Sequence, residues 1–79
     1  MREIGSPRAE ALRKFLKSQR QQAEMTQQQL ADRLGWDQKT ISNIERGQHR
    51  VTLIEIIELG EVLSFDPAAV VRRIAKVRD

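Results

Sequence analysis

Five residues within one short stretch, Gln38, Lys39, Thr40, Ser42 and Asn43, carry the side chains best suited to specific recognition. They alternate with Ile41 and Ile44. A helix over this segment hides the two isoleucines and shows water the amides, hydroxyls and ammonium. A core-building helix seldom needs so many short hydrogen-bonding groups near its start. A helix entering the major groove of DNA does, because base edges there present donors, acceptors and methyl groups. Gln38 or Asn43 could bond bidentately to adenine, Lys39 could reach guanine, and the Thr40 methyl could meet thymine. Sequence leaves open which of these contacts form. The plainer alternative is that these residues only solvate a helix face.

Other chemistries find little support. His49 is the only histidine, and the chain has no cysteine, so a zinc or catalytic role for His49 is not expected. Carboxylates are common, but no nucleophile–base set or phosphate-gripping glycine loop accompanies them. No enzyme activity, cofactor, metal or small-molecule ligand is therefore expected.

The elements that must hold these residues are marked by their starts and stops. Ser6-Pro7 offers a capping hydroxyl followed by a proline, and Leu12, Phe15 and Leu16 form a stripe at helical spacing. This first helix should run to about Gln22. Thr26 and Gln29 form a capping box for a second helix, with Leu30, Ala31 and Leu34 as its buried face and Gly35 as its left-handed stop. Asp37 caps a third helix that ends at Gly47. Gln48-His49-Arg50 is a polar loop. Thr52 and Glu55 form a second capping box, and Val51 and Ile56 are placed as a hydrophobic staple. The fourth helix, through Leu63, is the most apolar. After the Ser64-Phe65 link, Asp66-Pro67 starts a fifth helix expected over 66–77. The organisation expected is an N-terminal arm, 1–7, and a single domain, 8–79, with the helix-turn-helix at 26–46.

The 79 residues suffice for one small all-α domain with a modest core. Absence of cysteine fits a reducing cytosol. No apolar run approaches the roughly 20 residues of a membrane span, and the N-terminus has no signal-like apolar segment. Net charge is +3, unevenly spread. Arg8, Arg13, Lys14, Lys17 and Arg20 make the start basic, which favours a polyanion. Glu55, Glu58 and Glu61 make the fourth helix acidic, so that face should point away from phosphates. The alternative for each charge run is a solvated helix face. The fourth and fifth helices carry more branched aliphatics than a small core readily encloses, so part of them is either core or partner surface.

Arg20, TQQQLADRLG at 26–35, IxxIERG ending at Gly47 and the aliphatic fourth helix together resemble the Cro/phage-repressor (Xre) family. The resemblance runs from about Leu12 to Leu63 and continues weakly into the fifth helix. It implies a five-helix, lambda-repressor-like DNA-binding fold. It also implies that Arg20 pairs with Glu45, fixing the first helix against the third through a bidentate fork. Base contacts would fall to Gln38, Lys39, Thr40, Ser42 and Asn43. Phosphate contacts would fall to Gln27 or Gln28 at the start of the second helix, and to Arg46, Gln48, His49 and Arg50 in the following loop. Two departures stand out. Glu24 occupies a position often held by glycine, so either the loop bends differently or Glu24 takes an unfavourable backbone angle. Trp36 replaces a smaller aliphatic residue, as a core plug or as a partly exposed ring beside the DNA backbone.

The function implied is a cytoplasmic, sequence-specific transcriptional regulator, bacterial or phage and nucleoid-associated. It would act most simply as a repressor that binds a palindrome in double-stranded DNA as a homodimer. Val70, Val71 and Ile74 are candidate dimer contacts. The alternative is an antitoxin-like adaptor that covers a toxin-like protein partner and regulates its own operon. Control by concentration, proteolysis or a partner is expected rather than control by an inducer.

Overall fold

In the computed structural model, which describes residues 5–78, the chain forms five helices: α1 Pro7–Gln22, α2 Gln27–Leu34, α3 Gln38–Glu45, α4 Leu53–Leu63 and α5 Pro67–Ala75. Every helix start is fixed by a side chain that satisfies a backbone N–H otherwise lacking a partner. The Ser6 hydroxyl accepts from the Ala9 N–H at 3.1 Å. Asp37 accepts from Lys39 at 2.9 Å, and Asp66 from Ala68 at 3.0 Å. Thr26 with Gln29, and Thr52 with Glu55, close complete capping boxes. Such a cap contributes about 1 kcal/mol, a large share for helices of only eight residues that are marginal alone.

The core draws on four helices: Leu16 from α1, Leu30 and Ala31 from α2, Ile41 and Ile44 from α3, and Ile56, Leu59 and Leu63 from α4. Between α2 and α3, Gly35 sits at φ 72°, and the Trp36 N–H closes back on the Ala31 carbonyl at 2.9 Å. Only glycine takes this left-handed conformation at no steric cost. Trp36 packs partly buried against the core, and its indole N–H donates to Glu58 at 3.3 Å. The ring therefore both fills space and ties the turn to the acidic face of α4.

Glu24 settles the first departure noted above. It adopts φ 58°, so the backbone keeps the tight bend and the side chain bears the strain. A left-handed L-residue costs roughly 1–2 kcal/mol, partly offset by the greater unfolded-state freedom of glycine. Glu24→Gly should therefore raise stability by about 0.5–1 kcal/mol. Urea denaturation checks this, and an unchanged or lowered midpoint would show that the Glu24 side chain supplies an offsetting contact.

α5 packs against α1 and α4. Phe15 meets Phe65 edge to face, with ring centroids 5.2 Å apart, and the Arg73 guanidinium lies 5.3 Å from the Phe15 ring centre. α5 ends at Ala75 rather than 77. Arg8 gathers the carbonyls there, donating from Nε to Val77 at 2.8 Å and from Nη2 to Ala75 at 3.0 Å. A cation is favoured at this negative end of a helix. Arg8, read from sequence as part of a basic face, thus ties the start of α1 to the end of α5. Of the expected arm, residues 1–4 lie outside the described residues; Ser6 caps α1 and Pro7 is its first residue.

Val70, named from sequence as a dimer contact, is 4% exposed and already buried within the monomer. Its neighbour Val71 points outward and Ile74 is half-buried. Among the described residues, the large exposed apolar side chains are Leu53, Ile54, Ile57 and Val71. The helical period sends Val70 inward and Val71 outward, since adjacent residues lie about 100° apart around the axis.

Candidate nucleic-acid interface

α3 is anchored from beneath. Ile41 and Ile44 are 2% and 3% exposed, so one face of the helix is fully committed to the core. Lys39 stands exposed, while Gln38, Thr40, Ser42 and Asn43 are half-buried along the flanks. The five polar side chains form one surface on a helix whose rotation the isoleucines fix.

The end of α3 is locked to α1 by Arg20 and Glu45. Arg20 Nε donates to Glu45 Oε2 at 2.6 Å and Nη2 donates to Oε1 at 3.0 Å. Its third nitrogen donates to the Met25 carbonyl at 2.8 Å, which also pins the loop before α2. Both side chains are largely buried. Burial alone would push the Glu45 carboxyl up. Hydrogen bonds from Arg20 and Gln27, with the positive charges of Arg20 and Lys17, outweigh that effect and hold it below the ordinary carboxylate value. The bond to Glu45 likewise raises Arg20 above its usual value, against the opposing effect of burial. Arg13 adds a second tie, donating to the Glu45 main-chain carbonyl at 3.2 Å, and its stem fills the space above Gly47.

Gln27, expected at a phosphate, has its side chain engaged inside the protein at both ends. Its Nε2 donates to Glu45 Oε1 at 3.0 Å, and its Oε1 accepts from Gln38 Nε2 at 2.7 Å. Gln28 donates to Asp32 at 2.8 Å along the outer face of α2. Arg46, exposed just beyond α3, donates to the side-chain oxygen of Asn43. One residue expected at phosphate thereby orients one expected at bases.

Gln48 and Arg50 lie exposed in the loop after α3. His49, expected as an exposed side chain near phosphate, is held instead by Glu55, with Nε2 at 3.1 Å from both carboxylate oxygens. Glu55 also accepts the Thr52 N–H at 2.8 Å, so one carboxylate closes the α4 capping box and latches the loop. The basic residues of α1 are partly neutralised locally: Glu10 lies 3.2 Å from Lys14 and 3.6 Å from Arg13.

Sequence reasoning missed four of these arrangements: the Gln27 bridge, the Asn43–Arg46 bond, the His49–Glu55 latch and the Arg8 cap. Asn43 and Arg46 stand three apart on a helical path and were legible as a possible pair. The others join residues whose proximity only the packing of separate elements decides. Among the described residues, no group of histidine, cysteine or carboxylate side chains is placed to hold a metal ion, and no helix is long and apolar enough to cross a membrane.

Five short helices, with a glycine turn between α2 and α3 and a polar outer face on α3, define a helix-turn-helix protein of the DNA-binding kind. A family model described as helix-turn-helix matches residues 16–70, well over half the chain. The chain belongs to the Cro/C1-type, Xre-like helix-turn-helix family, whose members are DNA-binding transcription regulators. No curated protein matches it.

Proposed function

We propose that this regulator is a repressor that binds a palindromic operator as a homodimer in the cytoplasm. The observation that carries the reading is the division of α3 into two faces. Ile41 and Ile44 fix the helix to the core, and Gln38, Lys39, Thr40, Ser42 and Asn43 face outward with complementary donors and acceptors. These five would read base edges. Arg46, Gln48 and Arg50 would hold phosphates. At the start of α2 that role falls to Gln28 and to the backbone N–H groups, because the Gln27 side chain is engaged elsewhere.

Two such helices about 34 Å apart read half-sites one DNA turn apart, and a single eight-residue helix offers too few base contacts for tight binding. The exposed aliphatics of α4, with exposed Val71 and half-buried Ile74 of α5, are the surface for the second copy. Occlusion of a promoter is the simplest action open to such a dimer.

Titration of an operator duplex with the protein and two variants tests the division of labour. Asn43→Ala should lower discrimination at one base pair by about 1–3 kcal/mol. Arg50→Ala should weaken binding to all sequences and reduce the salt slope by about 1. Two proteins per duplex are expected. One protein per duplex, or equal losses from both variants on every sequence, would remove the dimer or the separation of roles respectively.

A second reading rests on Leu53, Ile54 and Ile57, exposed in a row on α4. An antitoxin-like adaptor would cover a toxin-like protein with this surface. Copurification of a small unrelated protein from the native host, lost in Ile54→Asp, would favour it.

A further inference from the structure

We propose that Arg46 sets the sense in which the Asn43 amide faces DNA, so that Asn43 reads guanine rather than adenine and Arg46 is a positioning residue for base choice. This rests on the reading of α3 as the base-contacting helix.

An asparagine amide has two unlike ends, an oxygen that accepts and an NH2 that donates. Bidentate recognition of adenine uses both, the oxygen for N6–H and one N–H for N7. It requires the oxygen to turn toward the base. Here the Asn43 side-chain oxygen is turned toward Arg46 and accepts from its Nη2. A guanidinium carries donors and no acceptor, so the reversed amide would set donor against donor. The oxygen therefore belongs to Arg46 and the NH2 points away from it. Among the described residues that NH2 has no partner within the protein, which leaves both of its N–H groups for DNA.

The backbone beneath the pair is held in place. Arg46 keeps helical backbone angles as the C-cap of α3, and its N–H bonds to the Ser42 carbonyl at 3.0 Å. The Gln48 N–H closes back on the Asn43 carbonyl at 2.8 Å. Asn43 and Arg46 thus share one fixed turn at a spacing of three, where helical side chains meet. The bond takes one N–H of the guanidinium. The others remain for a phosphate, so Arg46 can grip the DNA backbone and orient Asn43 at the same time.

The outward pattern decides between the purines. Guanine offers two acceptors in the major groove, O6 and N7, and two N–H groups match them. Adenine offers N7 beside the N6 donor, so one N–H of Asn43 would face another donor.

Selection from a duplex library tests this with the wild type and three variants. Asn43→Ala identifies the base pair concerned, as the one in each half-site whose preference it abolishes. There the wild type should retain guanine over adenine. Arg46→Ala frees the amide to turn, and the ratio of guanine to adenine should fall about fivefold or more at that pair, the lower end of what a matched base contact supplies. Arg46→Lys should keep the ratio, because an ammonium also can only donate. In an Asn43→Ala background, Arg46→Ala should weaken binding evenly and change no preference. A wild type that prefers any other base at this pair, or a ratio unmoved by Arg46→Ala, overturns the proposal. A role confined to phosphate would give the second of these results.

A second arm does not depend on DNA. In NMR spectra of the free protein, Arg46→Ala should move the side-chain carbonyl carbon resonance of Asn43 upfield, since that oxygen loses its donor. Arg46→Lys should move it less. An unmoved resonance overturns the proposal whatever the DNA result. A moved resonance with no selected motif would count against the operator reading instead.

Discussion

Glu45→Ala removes about 3–5 kcal/mol of stability, the cost of breaking a buried ion pair by deleting one partner. Folding stability for 79 residues is roughly 4–12 kcal/mol, so the variant should be largely unfolded near the lower end of that range. The size of the effect follows from what is left behind. Arg20 keeps its charge, is 12% exposed at its side chain, and loses both bonds of its fork, retaining only the Met25 carbonyl. Gln27 loses its acceptor in the same step. Thermal and urea unfolding measure the loss. A drop below about 1 kcal/mol that shrinks further in salt would be the behaviour of an exposed pair, contrary to the buried geometry.

The same pair gives a pH dependence whose sign is fixed. The Glu45 carboxyl titrates below its ordinary value in the folded protein, so the unfolded chain takes up a proton first as pH falls. The stabilisation is complete above the ordinary carboxylate value and disappears as pH drops through the lowered folded value. Acid unfolding should therefore be shallower in Glu45→Gln than in the wild type.

Gly60→Val should cost about 3 kcal/mol and detach the start of α5. Glycine inside a helix usually weakens it by nearly 1 kcal/mol, so its place in α4 needs a reason. A Cβ at this position would stand 2.8 Å from the Phe65 main-chain oxygen and 3.1 Å from a Pro67 ring carbon. The first neighbour is backbone, and the Phe65 N–H in turn bonds to the Gly60 carbonyl at 3.1 Å. The link between α4 and α5 can close only against a bare glycine. Valine adds three carbons there. The expected signature is loss of the Phe15–Phe65 contact in NMR spectra, with α2 and α3 keeping their chemical shifts. Wild-type stability in Gly60→Val would mean that the link can move aside.

Helix starts were readable from sequence because a cap is local. Ser6, Thr26, Asp37, Thr52 and Asp66 each act within three residues of themselves, and all five do so in the fold. The Gly35 stop is local too. Gly60 drew no notice, since its purpose lies in a carbonyl that folds back on it from the next link. Val70 and Val71 could not be separated by composition, and only the placement of α5 against α1 and α4 decides which one is covered. Local pattern does not bring Arg20 to Glu45, 25 positions away; the family resemblance named the two, and the structure has them within bonding distance. His49 and Gln27 looked like free polar groups because their partners come from other elements. The polar face of α3 was legible from the alternation of isoleucine with hydrogen-bonding residues, whereas the internal bonds that orient Gln38 and Asn43 were not.

Selection of random duplex DNA by the purified protein, followed by sequencing of the retained molecules, tests the central claim most directly. The account predicts a palindromic motif whose half-sites lie about one helical turn apart, roughly 34 Å from centre to centre. Sequencing that returned no enriched motif, from a protein shown to be folded and monodisperse, would contradict it.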